Sequence, residues 1–382
     1  MLETVYKEIP EIYNFCRLSY NNSSLLVFGE ACISSEMGPQ QGDPLGPLFF
    51  SLAIHPILES LSSIFTLGYL DDLTLGGPED GVVDDIAMVI RLAGEMGLVL
   101  NVEKCEVICH NNKTLTSALI NQFTRFSPSQ ATLLGAPLLQ GPAMDKTLNR
   151  KCEDLKRAVD RLSLISAHDA LLILKSSISA PKLMYTLRTS PCANHPTLES
   201  FDDLLRKGLA ASTNTVISDT AWIQASLPVK DGGLGIRSVS KLAPSAFLAS
   251  AAITCDLQVL MWNGAASQDG QAEADMEYIW TSRHGPATPD NELRGRQSAW
   301  DKASIMKDKN FLRAVFTGQY DQARLRATAA PHSSHWLSAL PISACGLRLD
   351  GEAIRVAVGL RLGVVICEPH LCPCGHQVDA KG

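Results

Sequence analysis

A chain of 382 residues with 46% hydrophobic side chains can fill two or three folded cores, which excludes a disordered linker. Its formal net charge of −7 excludes a protein that holds nucleic acid by bulk positive charge. Eleven cysteines behind an acidic, amphipathic start read as reduced thiols in nucleus or cytoplasm, with no secretory signal and no apolar run of membrane-spanning length.

Leu2, Val5, Ile9, Ile12, Phe15 and Leu18 recur at helical spacing and predict helices over residues 1–18. Two strands follow, from Ser24 to Phe28 and from Ala31 to Ser35. The segment Gly38-Pro-Gln-Gln41-Gly42-Asp43-Pro44-Leu-Gly46-Pro reads as a glycine-punctuated turn that runs into an apolar helix from Leu48. Gly42 and Gly46 lack a Cβ, so backbone there could lie close to a flat ligand. Asp43 before Pro44 fits a helix N-cap followed by proline at the first helical position. Next, two apolar runs meet at Asp71 and Asp72, the pattern of a β-hairpin with acids at its tip. Adjacent carboxylates repel unless a cation neutralises them, and Mg²⁺ is the usual hard partner for oxygen ligands. Alone, such a pair equally suits ordinary turn chemistry.

A helix is expected from Ile86 to Met96, stopped by Gly97, and then the segment Asn101-Val-Glu-Lys104. Lys104 by itself suits a solvated strand edge. Up to His110 there are four basic against sixteen acidic residues; between Asp145 and Lys207 the balance is eleven to eight. That second stretch is helical, with Leu148, Cys152, Leu155, Val159 and Leu162 as its apolar stripe. Gly232, Gly233 and Gly235 lack the Gly-Lys-Ser/Thr of a phosphate loop and read as a turn. Residues 243–252 predict a buried helix, and Trp280, Trp300 and Trp336 are expected to anchor a core. At the end, Cys367, Cys372, Cys374 and His376 read either as a Zn²⁺ knuckle or as a redox-silent cysteine-rich tail.

Taken together, four ordered segments resemble the reverse transcriptase of non-LTR retrotransposons. Gln41-Gly42-Asp43-Pro44-Leu-Gly46-Pro resembles that family's QG-x-P-x-SP segment, with Gly46 where serine is usual. Tyr69-Leu-Asp71-Asp72 is similar to its Y-x-DD hairpin, Asn101 to Lys104 to its N-x-x-K, and Leu133-Leu134-Gly135 to the hairpin that holds the primer end. The resemblance implies an α+β fold: a partial right-hand polymerase palm over 1–140, an α-helical thumb-like region over 141–256, and a mostly helical C-terminal part over 257–382. It implies RNA-templated DNA synthesis by two-metal nucleotidyl transfer, with RNA template, DNA primer and dNTPs as partners and no membrane. Asp71 and Asp72 would hold Mg²⁺ or Mn²⁺, Lys104 would face the leaving group, and Gln41, Gly42, Pro44 and Tyr69 would face template and nucleotide. The family's third metal-binding aspartate lies upstream of the glycine turn, but the first aspartate here is Asp43. The chain is therefore expected to be N-terminally truncated and to extend a primer at or near background. Two alternatives stand beside this reading: an inactive retroelement-derived fragment that binds nucleic acid or protein, and a zinc-dependent interaction protein.

Overall fold

A computed structural model of the chain describes residues 2–35, 38–40, 42–109, 114–261 and 270–381. Helix accounts for 59% of it and strand for 9%, so the α+β expectation holds with helix dominant. The chain divides into two compact units. One unit runs through Arg125 and takes in the end of a long helix from Leu257; the other holds Phe126–Asp256 and the rest of the chain.

In the first unit, Pro10 at a helix start divides α1 (Leu2–Glu8) from α2 (Pro10–Tyr20). Strands β1 (Ser24–Phe28) and β2 (Ala31–Ser35) pair antiparallel, with Ser24 opposite Ser35, around Gly29 at φ +60°. Helix α3 (Gly46–Glu59) follows, then β3 (Phe65–Tyr69), β4 (Asp72–Gly76), α4 (Glu79–Glu95), β5 (Glu106–Ile108) and β6 (Thr124–Phe126). Two starts differ from expectation. Helix α3 opens at Gly46 rather than Pro44, and Asp43 accepts the Leu45 N–H at 2.7 Å, so it closes a turn before the helix instead of capping it. Helix α4 opens at Glu79 rather than Ile86, because Glu79 and Asp80 suit the positive end of the helix dipole. The main core here is small: Val5, Cys16 and Phe49 are enclosed, with Leu2, Ile12, Tyr13, Tyr20, Leu45 and Leu52 around them.

The second unit opens with β7 (Thr132–Leu133) and β8 (Ala136–Pro137), a two-stranded ladder. Ten helices follow among the described residues: α5 (Pro142–Leu162), α6 (Ala167–Ile173), α7 (Ala180–Thr189), α8 (Pro196–Thr213), α9 (Asp219–Ser226), α10 (Val239–Met261), α11 (Gln271–His284), α12 (Gln297–Val315), α13 (Gln319–Thr328) and α14 (Gly351–Leu362). A final hairpin pairs β9 (His370–Leu371) with β10 (Gln377–Val378). The α5 stripe holds as read: Leu148, Leu155 and Leu162 are buried, and Cys152 and Val159 pack beside them. Gly208 of α8 lets that helix approach, since a Cβ there would sit 3.0 Å from Val159. Trp280 and Trp300 meet edge to face at 5.1 Å in the same core as α5, α8 and α14, while Trp336 packs on its margin. The Gly232–Gly235 segment is a turn, as expected, with Leu234 and Gly235 donating to the carbonyls of Ala225 and Leu227.

Helix α10, 23 residues at mean hydropathy 1.3, is long and apolar enough to cross a membrane by length and composition. Its first half instead supplies Val239, Leu242, Ala243, Ala246, Leu248 and Ala249 to the core of the second unit. That burial accounts for the apolar side chains of the first half, while Ile253, Leu257 and Leu260 of the second half are exposed.

Candidate active site

Strands β3 and β4 pair from Phe65 opposite Gly76 to Tyr69 opposite Asp72, leaving Leu70 and Asp71 as a two-residue loop. Leu70 has φ +55°, the sign that a hairpin turn with a positive first central residue requires and that glycine usually supplies. A leucine held there stores strain on the order of 1–3 kcal/mol, a feature found most often where a turn has a task. Asp71 and Asp72 are exposed, and neither makes a hydrogen bond or ion pair among the described residues. Two solvent-facing carboxylates without protein partners are a donor set for a hard cation. Among the described residues, no group of three or more His, Cys, Asp and Glu gathers around them or anywhere else.

The hairpin is held from below. A Cβ on Gly68 would meet Leu58 of α3 at 2.5 Å, so glycine lets helix and strand touch. Asp85 of α4, 1% exposed, accepts from Ser62 N (3.0 Å) and Oγ (3.1 Å) and from Ser63 N (2.7 Å) and Oγ (2.6 Å). These serines lead into β3. Burial alone would raise the Asp85 pKa, but the donors of Ser63 and Ser62 outweigh it and hold the carboxyl below its usual value. The sequence reading passes over Asp85; its signal is an acid in register with Val82, Val89 and Leu92 on the apolar face of α4.

Tyr69 is exposed beside the hairpin loop. Lys104 ends a 3₁₀ turn (Val102–Lys104), is exposed, and is linked to neither aspartate by a hydrogen bond or ion pair. Gly42 has φ +90° with nothing within 4 Å of a built Cβ, so it faces open space in a conformation that glycine favours. Pro44 is exposed next to it, and Gln41 lies outside the described residues.

At the far end of the chain, Cys372, Cys374 and His376 lie between β9 and β10. The Cys374 thiol is 3.6 Å from His376 Nδ1. Its pKa is lowered to about 7, first by the Cys372 side chain and then by the His376 backbone. Cys367 turns elsewhere and donates to the Asp379 carbonyl at 3.2 Å. Among the described residues, no group of three or more His, Cys, Asp and Glu comes together there.

Residues 16–138 match the family model described as reverse transcriptase (RNA-dependent DNA polymerase), a span that contains the glycine turn, the aspartate hairpin and Lys104. This segment is similar to reverse transcriptase domains. The chain is also similar to a retrotransposon protein: it is 24% identical over 214 residues to the Retrotransposable element SLACS 132 kDa protein of Trypanosoma brucei gambiense. That match covers 55% of this chain, which spans only 18% of the relative's length.

Proposed function

We propose that this chain carries the nucleotidyl-transfer centre of a retroelement RNA-directed DNA polymerase, with Asp71 and Asp72 as its metal-binding carboxylates. One observation carries the reading: two adjacent, solvent-facing carboxylates without partners among the described residues, beside a strained leucine on a hairpin inside the matched span. Mg²⁺ or Mn²⁺ held by these oxygens would supply charge neutralisation at the attacking and leaving oxygens of the primer hydroxyl and the incoming dNTP. The protein's own task is positioning. The β3–β4 ladder fixes the two aspartates relative to each other, and Asp85 with Gly68 fixes the ladder on α3 and α4. Lys104 brings an exposed ammonium, without an ion pair among the described residues, for the charge that develops on pyrophosphate. Gly42 and Pro44 offer a surface with little side-chain bulk to template and nucleotide, and Tyr69 adds an exposed ring beside the hairpin loop.

Manganese binding and primer extension test this. Paramagnetic broadening by Mn²⁺ should centre on residues 69–73 with weak affinity, since two carboxylates and not three meet there among the described residues, and should vanish in Asp71→Asn/Asp72→Asn. On a primed RNA template, dNTP incorporation should fall by about a thousandfold or more in Asp71→Asn. Incorporation indifferent to Asp71→Asn removes the proposal.

A further inference from the structure

The glycine turn before α3 has little in its own sequence to fix its shape. Gly38 and Gly42 both take positive φ, +77° and +90°. Among the described residues its internal backbone bonds are Asp43 N–H to the Gln40 carbonyl at 3.1 Å and Gly46 N–H to the Asp43 carbonyl at 3.0 Å. A polar cavity of about 270 Å³, lined by Asn21, Asn22, Ser24, Ser35, Gly38 and Gln40, leaves one side of the turn without packing. Something else must hold it.

Tyr20, the last residue of α2, touches the turn at two points, Gln40 and Asp43. Its hydroxyl donates to the Asp43 carboxylate and accepts the Gln40 backbone N–H at 3.4 Å. Its ring stands edge-on to the enclosed Phe49 of α3, with centroids 5.4 Å apart. Asp43 passes the restraint on through its other oxygen, which accepts the Leu45 N–H at 2.7 Å. From the cavity side, Gln40 Nε2 donates to Ser24 Oγ of β1 at 2.7 Å. We propose that Tyr20 and Asp43 form a latch that positions the glycine turn for contact with template and nucleotide, so that both are positioning residues of the polymerase centre. The proposal rests on the reading of that turn given above. Tyrosine suits the task because its aromatic body is anchored by packing while its one hydroxyl serves two partners. Burial first, and the Asp43 carboxylate second, raise the Tyr20 pKa; the Tyr20 hydroxyl first, and the Leu45 N–H second, lower that of Asp43. Phenol and carboxylate therefore keep complementary forms at neutral pH.

The test uses the full chain and the variants Tyr20→Phe, Asp43→Asn and the pair together. Tyr20→Phe keeps the ring against Phe49 and removes only the latch. Amide exchange over residues 38–45 should rise about tenfold, with α2 and α3 unchanged and the melting temperature held. Affinity for a primed RNA template should fall about fivefold in either single variant and no further in the double, as expected of two residues acting as one unit. Unchanged exchange in the turn, or a rise spread equally over α2 and α3, overturns the latch. A loosened turn with undiminished template affinity overturns its positioning role. If the wild-type chain binds no primed RNA while the turn loosens as stated, the latch stands and the template-facing reading fails.

Discussion

A carboxylate out of reach of water is tolerated only where donors replace its hydration, and Asp85 has four of them on two consecutive serines. Asp85→Ala leaves those donors without an acceptor and should destabilise the first unit by about 3 kcal/mol at pH 7, read from urea unfolding. Because the folded pKa lies below the unfolded value near ~3.9, this contribution is complete above that value and is lost as pH falls through the folded one. The gap between wild type and variant should therefore narrow at pH 3; a gap that persists assigns the loss to packing. Cys374 gives a second residue-scale test. With its pKa near 7, its alkylation by iodoacetamide should reach half its maximum close to pH 7. Cys152 and Cys192, pushed by burial up to about 11 and about 12, should stay unlabelled in the folded chain. A Cys374 rate still climbing at pH 9 would mean that Cys372 and His376 do not hold the thiolate.

Elements were legible where one periodic signal spoke alone. Helix α5 is readable because Leu148, Leu155 and Leu162 recur on one face and meet a single core. The β3–β4 hairpin is readable because two apolar runs frame the aspartates, although the left-handed Leu70 at its tip leaves no mark in composition. Starts slip where cap signals compete, as Asp43-Pro44 does with Gly46 for α3 and the acidic run does with Ile86 for α4. Partners far away in the chain are illegible: Asp85 meets serines 22 and 23 residues back, and Tyr20 meets Asp43 across 23. The turn after α9 carries the sharpest prediction at this scale. A Cβ on Gly233 would lie 2.0 Å from the Leu227 carbonyl oxygen, a backbone atom that cannot rotate away. Gly233→Ala should cost about 4 kcal/mol or more, seen as a lowered melting point of the second unit. A variant within ~1 kcal/mol of wild type would show that the turn has another conformation of similar energy.

At the scale of the molecule, the two units differ in how much apolar surface each encloses. The second shares one core from Met144 to Val364, with Trp280, Trp300 and Phe201 fully enclosed. In the first, the main cluster encloses Val5, Cys16 and Phe49, and Leu25, Val27 and Phe28 of β1 and Leu18 of α2 stay exposed. Burial contributes about 25 cal/mol per Å² of apolar surface, so local stability should follow this asymmetry. Native-state hydrogen exchange should find the amides of α1, α2, β1 and β2 at least about a hundredfold less protected than those of α5 and α8. Urea should release the first set at a lower concentration. The consequence for the proposed site is that α3, β3 and β4, with Asp71 and Asp72 at the hairpin, belong to the unit expected to be less stable. A nucleic-acid duplex or divalent cation that binds only the ordered hairpin should therefore raise protection there first, by the linkage of binding to local folding. Uniform protection in both units, unchanged by Mn²⁺ and primed RNA, would refute that asymmetry and its coupling to the aspartate hairpin.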